Sequence, residues 1–177
     1  QTDARALLDG NSDDVIAHEL MHHWFGNLVT CESWVHLTLN EAFANYSEYL
    51  WNEHKKGVEE ADLWSQGEQQ QYLGEAEQKQ ESLIRYNYTD MEDMFDSHSY
   101  AKGGQILHML RKYVGDEAFF TASHNYLIRH AFGTAEVNDL REAFEEVTGE
   151  DLNWFFNQWF LSSGHPNLKI EIQGHIC

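Results

Sequence analysis

The chain has 177 residues, 42% of them hydrophobic and 14% aromatic, which is enough for one domain with a true core. Its 30 acidic residues outweigh 11 Lys and Arg, and the resulting formal charge of −19 repels phosphate backbones and argues against nucleic-acid binding. No apolar run approaches the length of a bilayer span, and Cys31 and Cys177 form no C-x-x-C pair, so no membrane span, zinc knuckle or disulfide framework is expected.

Residues 1–10 read as a loop. The stretch NSDDVIAHELMHHWFGNLV predicts a first helix. Ser12 is its expected N-cap, and Asp13 and Asp14 fall in the first turn, where the helix dipole favours negative charge. Val15, Ile16, Leu20 and Phe25 follow helical spacing. A second helix is predicted from about Leu39 to His54, stopped by Gly57. The Glu/Gln-rich stretch 59–86 reads as a long helix with a solvated face, followed by a loop around 87–97. Four further helices are expected to close on Gly115, Gly133, Gly149 and Gly164, each where a capping glycine belongs. The single proline, Pro166, precedes NLKIEIQ, whose period-two alternation is a strand signature. The expected division is a helical unit over 1–165 and the first strand of a following β-domain over 166–177.

The chemistry concentrates in HELMHHWFGN, residues 18–27. His18 and His22 lie four apart on a predicted helix, which puts both imidazoles on one face within reach of a single cation. Glu19 points about 100° away from His18, too far round to be an equal ligand but near enough to reach an attacking water. Zinc needs a third protein ligand and an open fourth position. Glu41, with 18 residues between it and His22, supplies the candidate if a helix, a turn and an antiparallel helix bring it back over the pair.

These residues resemble the gluzincin aminopeptidases of the aminopeptidase N family. Shared features are Trp24, Phe25 and Gly26 after the second histidine, Asn40 before Glu41, and Tyr100 in the Y-x-K-G context of SYAKGG. The end, WFFNQWFLSSGHPNLKIEI, resembles that family's exit from its helical lobe into a β-sandwich. The resemblance implies a mainly α fold, the helical lobe of a thermolysin-like zinc peptidase catalytic domain. It implies one Zn2+ per chain held by His18, His22 and Glu41, with Glu19 as general base and Tyr100 as donor to the developing oxyanion. It further implies a peptide substrate with a free N-terminus.

Around this core, Asn40, Asn45 and Glu48 are supporting candidates, the last two lying four and seven residues after Glu41 on its face. One of the three is expected to accept the free ring N–H of His18 or His22 and so fix its tautomer. His23 points away from His22 and is expected to take no metal. His36, His98 and His108 read as surface or satisfied core, and Trp154, Phe155, Phe156, Trp159 and Phe160 as core. Trp24 and Phe25 are expected to anchor the first helix, and Gly103 and Gly104 to permit close helix packing.

The chain departs from the family at three places. Ala42 stands where the family has glycine after the glutamate, and Thr38 stands where it commonly has tryptophan, so packing under the site is expected to differ. The family's G-x-M-E-N stretch, whose glutamate holds the substrate's amino terminus, is absent from the seventeen residues before His18. The chain is therefore expected to be a fragment missing an N-terminal lobe, with weak or no zinc binding and little activity by itself. Alternative functions are a zinc hydrolase of other specificity, an endopeptidase or epoxide hydrolase, on the same scaffold, or a non-catalytic helical interaction domain. Intact His18, Glu19, His22, Glu41 and Tyr100 argue against the last.

Overall fold

A computed structural model describes residues 12–169 and Glu171. In chain order it contains α1 (Asp13–Met21), β1 (Val29–Cys31), α2 (Thr38–Lys56) and α3 (Val58–Ala76). A π-helical turn (His98–Lys102) then runs directly into α4 (Gly103–Val114), followed by α5 (Asp116–Arg129), β2 (Gly133–Ala135), α6 (Val137–Thr148) and α7 (Asn153–Trp159).

The fold is organised round α2, which packs against α1, α3, α4 and the π-turn. Its first half is buried nearly all round, from Thr38 to Ser47 with only Asn40 partly open, as expected of a helix at the centre of a bundle. The close approach of α4 depends on two glycines. A Cβ at Gly103 would sit 2.6 Å from the Cβ of Ala42, and one at Gly104 would collide with the side-chain oxygen of Asn45. On the far side, Phe119, Tyr126, Leu140 and Phe144 join α5 to α6, and Phe155, Phe156 and Phe160 close the core. Trp154 stays half exposed, so the C-terminal aromatic group is core only in part.

Several predicted boundaries move. α1 ends at Met21 and does not continue to Val29. Ser12 occupies its N-cap position, but the side chain makes no capping hydrogen bond. The N–H groups of Trp24 and Phe25 both return to Met21 O, and Gly26 turns the chain at φ 143°. Phe25 thereby leaves the helix and enters the core, its ring stacked on Phe43 at 3.8 Å between centroids. Trp24 remains half exposed, at the edge of an apolar groove between α1 and α2 lined by Leu20, Leu50 and Trp51.

Val29–Cys31 pairs in parallel with Gly133–Ala135, Val29 opposite Gly133 and Cys31 opposite Ala135. Gly133 is thus a strand residue, and α5 ends earlier, at Arg129. Gly115 and Gly149 do follow α4 and α6 at positive φ, 86° and 72°. Gly164 also has positive φ but lies beyond the end of α7 at Trp159.

α3 stops at Ala76 rather than continuing to residue 86. The reason is tertiary: Leu83 and Ile84 are buried, and their N–H groups donate to Phe160 O at 3.0 and 3.1 Å. Residues 166–169 and Glu171 take no regular secondary structure, and the rest of the expected strand, like the loop at residues 1–10, lies outside the described residues. No described helix is long and apolar enough to cross a membrane.

Candidate metal centre

α1 and α2 pack against each other with His18, His22 and Glu41 at the contact. The Oε2 of Glu41 lies 3.6 Å from His18 Nε2 and 3.4 Å from His22 Nε2. Glu41 is only 7% exposed, and that oxygen is buried with no hydrogen-bond partner. A buried carboxylate oxygen left without a donor is costly, so its orientation toward two ring nitrogens calls for a cation.

The tautomers agree. His22 Nδ1 lies 3.1 Å from Phe25 O, and a carbonyl only accepts, so Nδ1 carries the hydrogen. His18 Nδ1 lies 2.8 Å from Glu48 Oε1, which accepts in the same way. In the neutral rings both Nε2 atoms are therefore left to offer lone pairs to a cation shared with Glu41. Two imidazole nitrogens and one carboxylate oxygen, all within 4.8 Å of one another, are the kind of donor set that a catalytic zinc site uses. The residues fit the metal.

The electrostatics of the donor set point the same way. Burial opposes charge on His18, yet Glu41 and Glu48 outweigh it and raise its pKa to about 9. Glu41 itself raises that of His22. Burial likewise opposes ionisation of Glu41, but the two histidines hold its carboxyl at about 2. Protons and a divalent cation thus compete for one pocket.

Two other groups have metal-like composition, Glu32–His36–Glu136 and Glu75–Asp96–His98. In each, the ring already accepts a backbone N–H on one nitrogen, His36 Nδ1 from Val137 at 3.3 Å and His98 Nε2 from Glu81 at 3.2 Å. The neutral ring then carries its hydrogen on the nitrogen facing the carboxylates, which removes the lone pair a metal needs. His98 is not a fully satisfied core residue, since its buried Nδ1 lacks a partner.

Tyr100 stacks on His18, the rings 6.1 Å apart and within 7° of parallel. Burial pushes its phenol pKa up, and the carboxylates of Glu41 and Glu19 push it further, so the hydroxyl keeps its proton and remains a donor. Glu19 is exposed beside the histidine pair. Tyr100 lines a cleft of about 470 Å3 together with Asn45, Glu68, Gln71 and Glu75.

Of the three supporting candidates, Glu48 alone touches an imidazole. Asn45 Nδ2 donates to Glu68 Oε2 at 2.6 Å, and Asn40 Nδ2 lies 3.4 Å from Cys31 Sγ. His23 is exposed and outside the cluster. The sequence reading did not include the Phe25 carbonyl. It is a main-chain group brought to His22 by the turn after α1, and no residue type signals it.

A helical pair bringing two histidines and one glutamate together beside a tyrosine is the arrangement expected of a zinc-metallopeptidase type of centre. Residues 5–159 match the model of the peptidase family M1 domain, and the chain belongs to that family. It is 38% identical to an aminopeptidase N of Streptomyces lividans, over 89% of this chain and 19% of the relative. It is 35% identical to aminopeptidase M1-D of Oryza sativa subsp. japonica, over 90% of this chain and 19% of the relative. The chain thus spans about a fifth of the length of the curated relatives it matches. Among solved structures, the yeast LTA4 hydrolase bound to bestatin superposes with a TM-score of 0.80 at 25% identity, covering 93% of this chain and 28% of the other. An M1 zinc metallopeptidase of Deinococcus radiodurans gives 0.75 at 27% identity, covering 93% and 36%. The mainly helical fold is that of the helical part of these catalytic domains.

Proposed function

We propose that the protein containing this chain is a zinc-dependent aminopeptidase that releases N-terminal residues from peptides. The observation that carries the proposal is the unpartnered Oε2 of Glu41 facing the Nε2 atoms of His18 and His22. These three residues would hold one Zn2+. When bound, the metal supplies Lewis-acid polarisation of a carbonyl and lowers the pKa of a water.

The remaining steps belong to side chains of this chain. Glu48 fixes the His18 ring through Nδ1, and the Phe25 carbonyl fixes that of His22. Glu19 accepts a proton from the attacking water and returns it to the leaving amine. The Tyr100 hydroxyl donates to the oxyanion that develops on the scissile carbonyl. The support for Glu19 is its place one residue from His18 on the ligand helix, and for Tyr100 its stacking on His18. The peptide substrate class is supported by the aminopeptidases among the relatives. The opening of a β-domain after Pro166 is part of the same proposal, supported by the period-two alternation of Asn167–Gln173.

The test compares an aminoacyl anilide with its N-acetylated counterpart as substrates of the full-length protein, with zinc content measured for wild type and Glu41→Ala. Zinc-dependent hydrolysis of the free-amine substrate alone is expected, with loss of metal in the variant. Equal hydrolysis of the acetylated substrate would instead support an endopeptidase, and full activity in Glu41→Ala would remove the metal centre from the chemistry.

A further inference from the structure

Tyr100 is presented by a π-turn, and that turn is gripped at the preceding residue. Ser99 is fully buried, and each of its polar groups is held. Its N–H donates to Asp96 Oδ1 at 3.0 Å, its Oγ accepts from Arg85 Nη2 at 2.9 Å, and its carbonyl accepts from Thr38 Oγ1 at 3.2 Å.

The grip reaches the metal centre from two directions. Thr38 sits one turn before Glu41 on α2, so its hydroxyl ties the Tyr100 turn to the helix that carries the third candidate ligand. Arg85 comes from the segment after α3. It is 8% exposed and forks onto Asp96, with Nη1 at 2.5 Å from Oδ2 and Nη2 at 3.0 Å from Oδ1. Lys79 adds a third charged contact to Asp96 Oδ2 at 2.7 Å. Such charge-assisted, two-pronged pairs fix orientation as well as distance. Gly103 makes the arrangement possible, because a Cβ there would lie 2.8 Å from Thr38 Oγ1. A π-turn interrupts the regular helical ladder, and here side chains reinforce its backbone bonds, Tyr100 N–H to Asp96 O and Lys102 N–H to Ser97 O.

We propose that Thr38, Arg85 and Asp96 are positioning residues that act through Ser99 to set where the Tyr100 hydroxyl stands relative to Glu41. The proposal rests on the reading of Tyr100 as the oxyanion donor. None of the three touches substrate. They work because a donor displaced by a fraction of an ångström loses its advantage in the transition state while ground-state binding is untouched.

The experiment measures kcat, KM and zinc content for Thr38→Val, Thr38→Ser and Ser99→Ala in the full-length protein, each also in a Tyr100→Phe background. Thr38→Val keeps the shape and removes only the hydroxyl, and Ser99→Ala removes only Oγ, so both variants are expected to fold. The expected result is a fall of about tenfold in kcat with KM and zinc content unchanged, recovered to within about twofold by Thr38→Ser. In the Tyr100→Phe background the same substitutions should cause no further loss, because the donor they position is gone. Losses that multiply with Tyr100→Phe would overturn the proposal. So would unchanged kcat in Thr38→Val and Ser99→Ala when Tyr100→Phe alone is impaired. Full kcat in Tyr100→Phe would instead remove the oxyanion-donor reading, and the positioning role with it.

Discussion

Glu48 Oε1 stands 2.8 Å from His18 Nδ1, on the side of the ring opposite Glu41. The two glutamates lie on the same helix, seven residues apart, so α2 supplies both the carboxylate that would meet the metal and the one that orients its imidazole. One rigid helix setting both contacts keeps the His18 ring from turning independently of Glu41.

Glu48→Ala should therefore weaken zinc binding by roughly 10- to 100-fold, because His18 loses the acceptor that keeps its hydrogen on Nδ1. Competition with a chelator of known affinity measures this. Unchanged affinity would show that the contact is incidental.

Asp96 makes stability depend on pH at the acid end. Burial would raise its carboxyl, but Arg85, Lys79 and the Ser99 N–H prevail and hold it at about 2 against an ordinary 3.8. A depressed carboxylate contributes stability that is complete above its unfolded pKa and disappears as pH falls through the folded one. The contribution is of order 2 kcal/mol, lost between about pH 4 and pH 2. Asp96→Asn should lower stability at pH 7 by about that amount and show a smaller deficit near pH 2. Denaturant melts at the two pH values decide it, and an equal deficit at both would refute the assignment.

The contact of Gly103 with Ala42 predicts a compensating pair. Alanine is the better helix former by up to about 1 kcal/mol, so a glycine at the start of α4 is retained for space. Gly103→Ala should cost about 1–3 kcal/mol through collision with Ala42 and Thr38. Adding Ala42→Gly should recover part of the loss, read as a positive coupling of about 1 kcal/mol in a double-mutant cycle of melting temperatures. Strict additivity would mean that the two residues do not compete for the same space.

α1, which carries His18 and ends just before His22, buries none of its residues, with Val15, Ile16 and Leu20 all exposed. Packing, rather than intrinsic propensity, stabilises short helices. The 177-residue chain should accordingly bind zinc more weakly than the full-length protein, in which further residues can cover this face. Calorimetric titration of both tests it, and equal affinities would show that α1 needs no additional cover.

The grouping of His18, His22 and Glu41 was legible because a helix converts sequence spacing into direction. His18 and His22 at i and i+4, and Glu41 and Glu48 at i and i+7, fall on common faces without knowledge of the rest of the chain. Asn45 is four residues from Glu41, yet its amide is claimed by Glu68 on α3, a contact that spacing along α2 alone does not reveal. Arg85 and Asp96 were invisible for a related reason. Their partners lie in segments joined only by tertiary contact, and the region that reads as the end of a long helix is instead bonded through Leu83 and Ile84 N–H to Phe160 O. The strand Val29–Cys31 is three residues long, too short for a periodic signal, and its partner is far away in sequence.

That partner has a consequence for synthesis. Val29 pairs with Gly133, 104 positions later, so the loop leaving the histidine helix finds its hydrogen-bonding mate only after those intervening residues have been made. A pairing of such long range carries a large closure entropy and forms late on most folding routes. During translation the HELMH segment would leave the ribosome well before the scaffold that orients it. A nascent protein halted before Ala135 would carry His18, His22 and Glu41 without the strand pairing that holds the loop after His22.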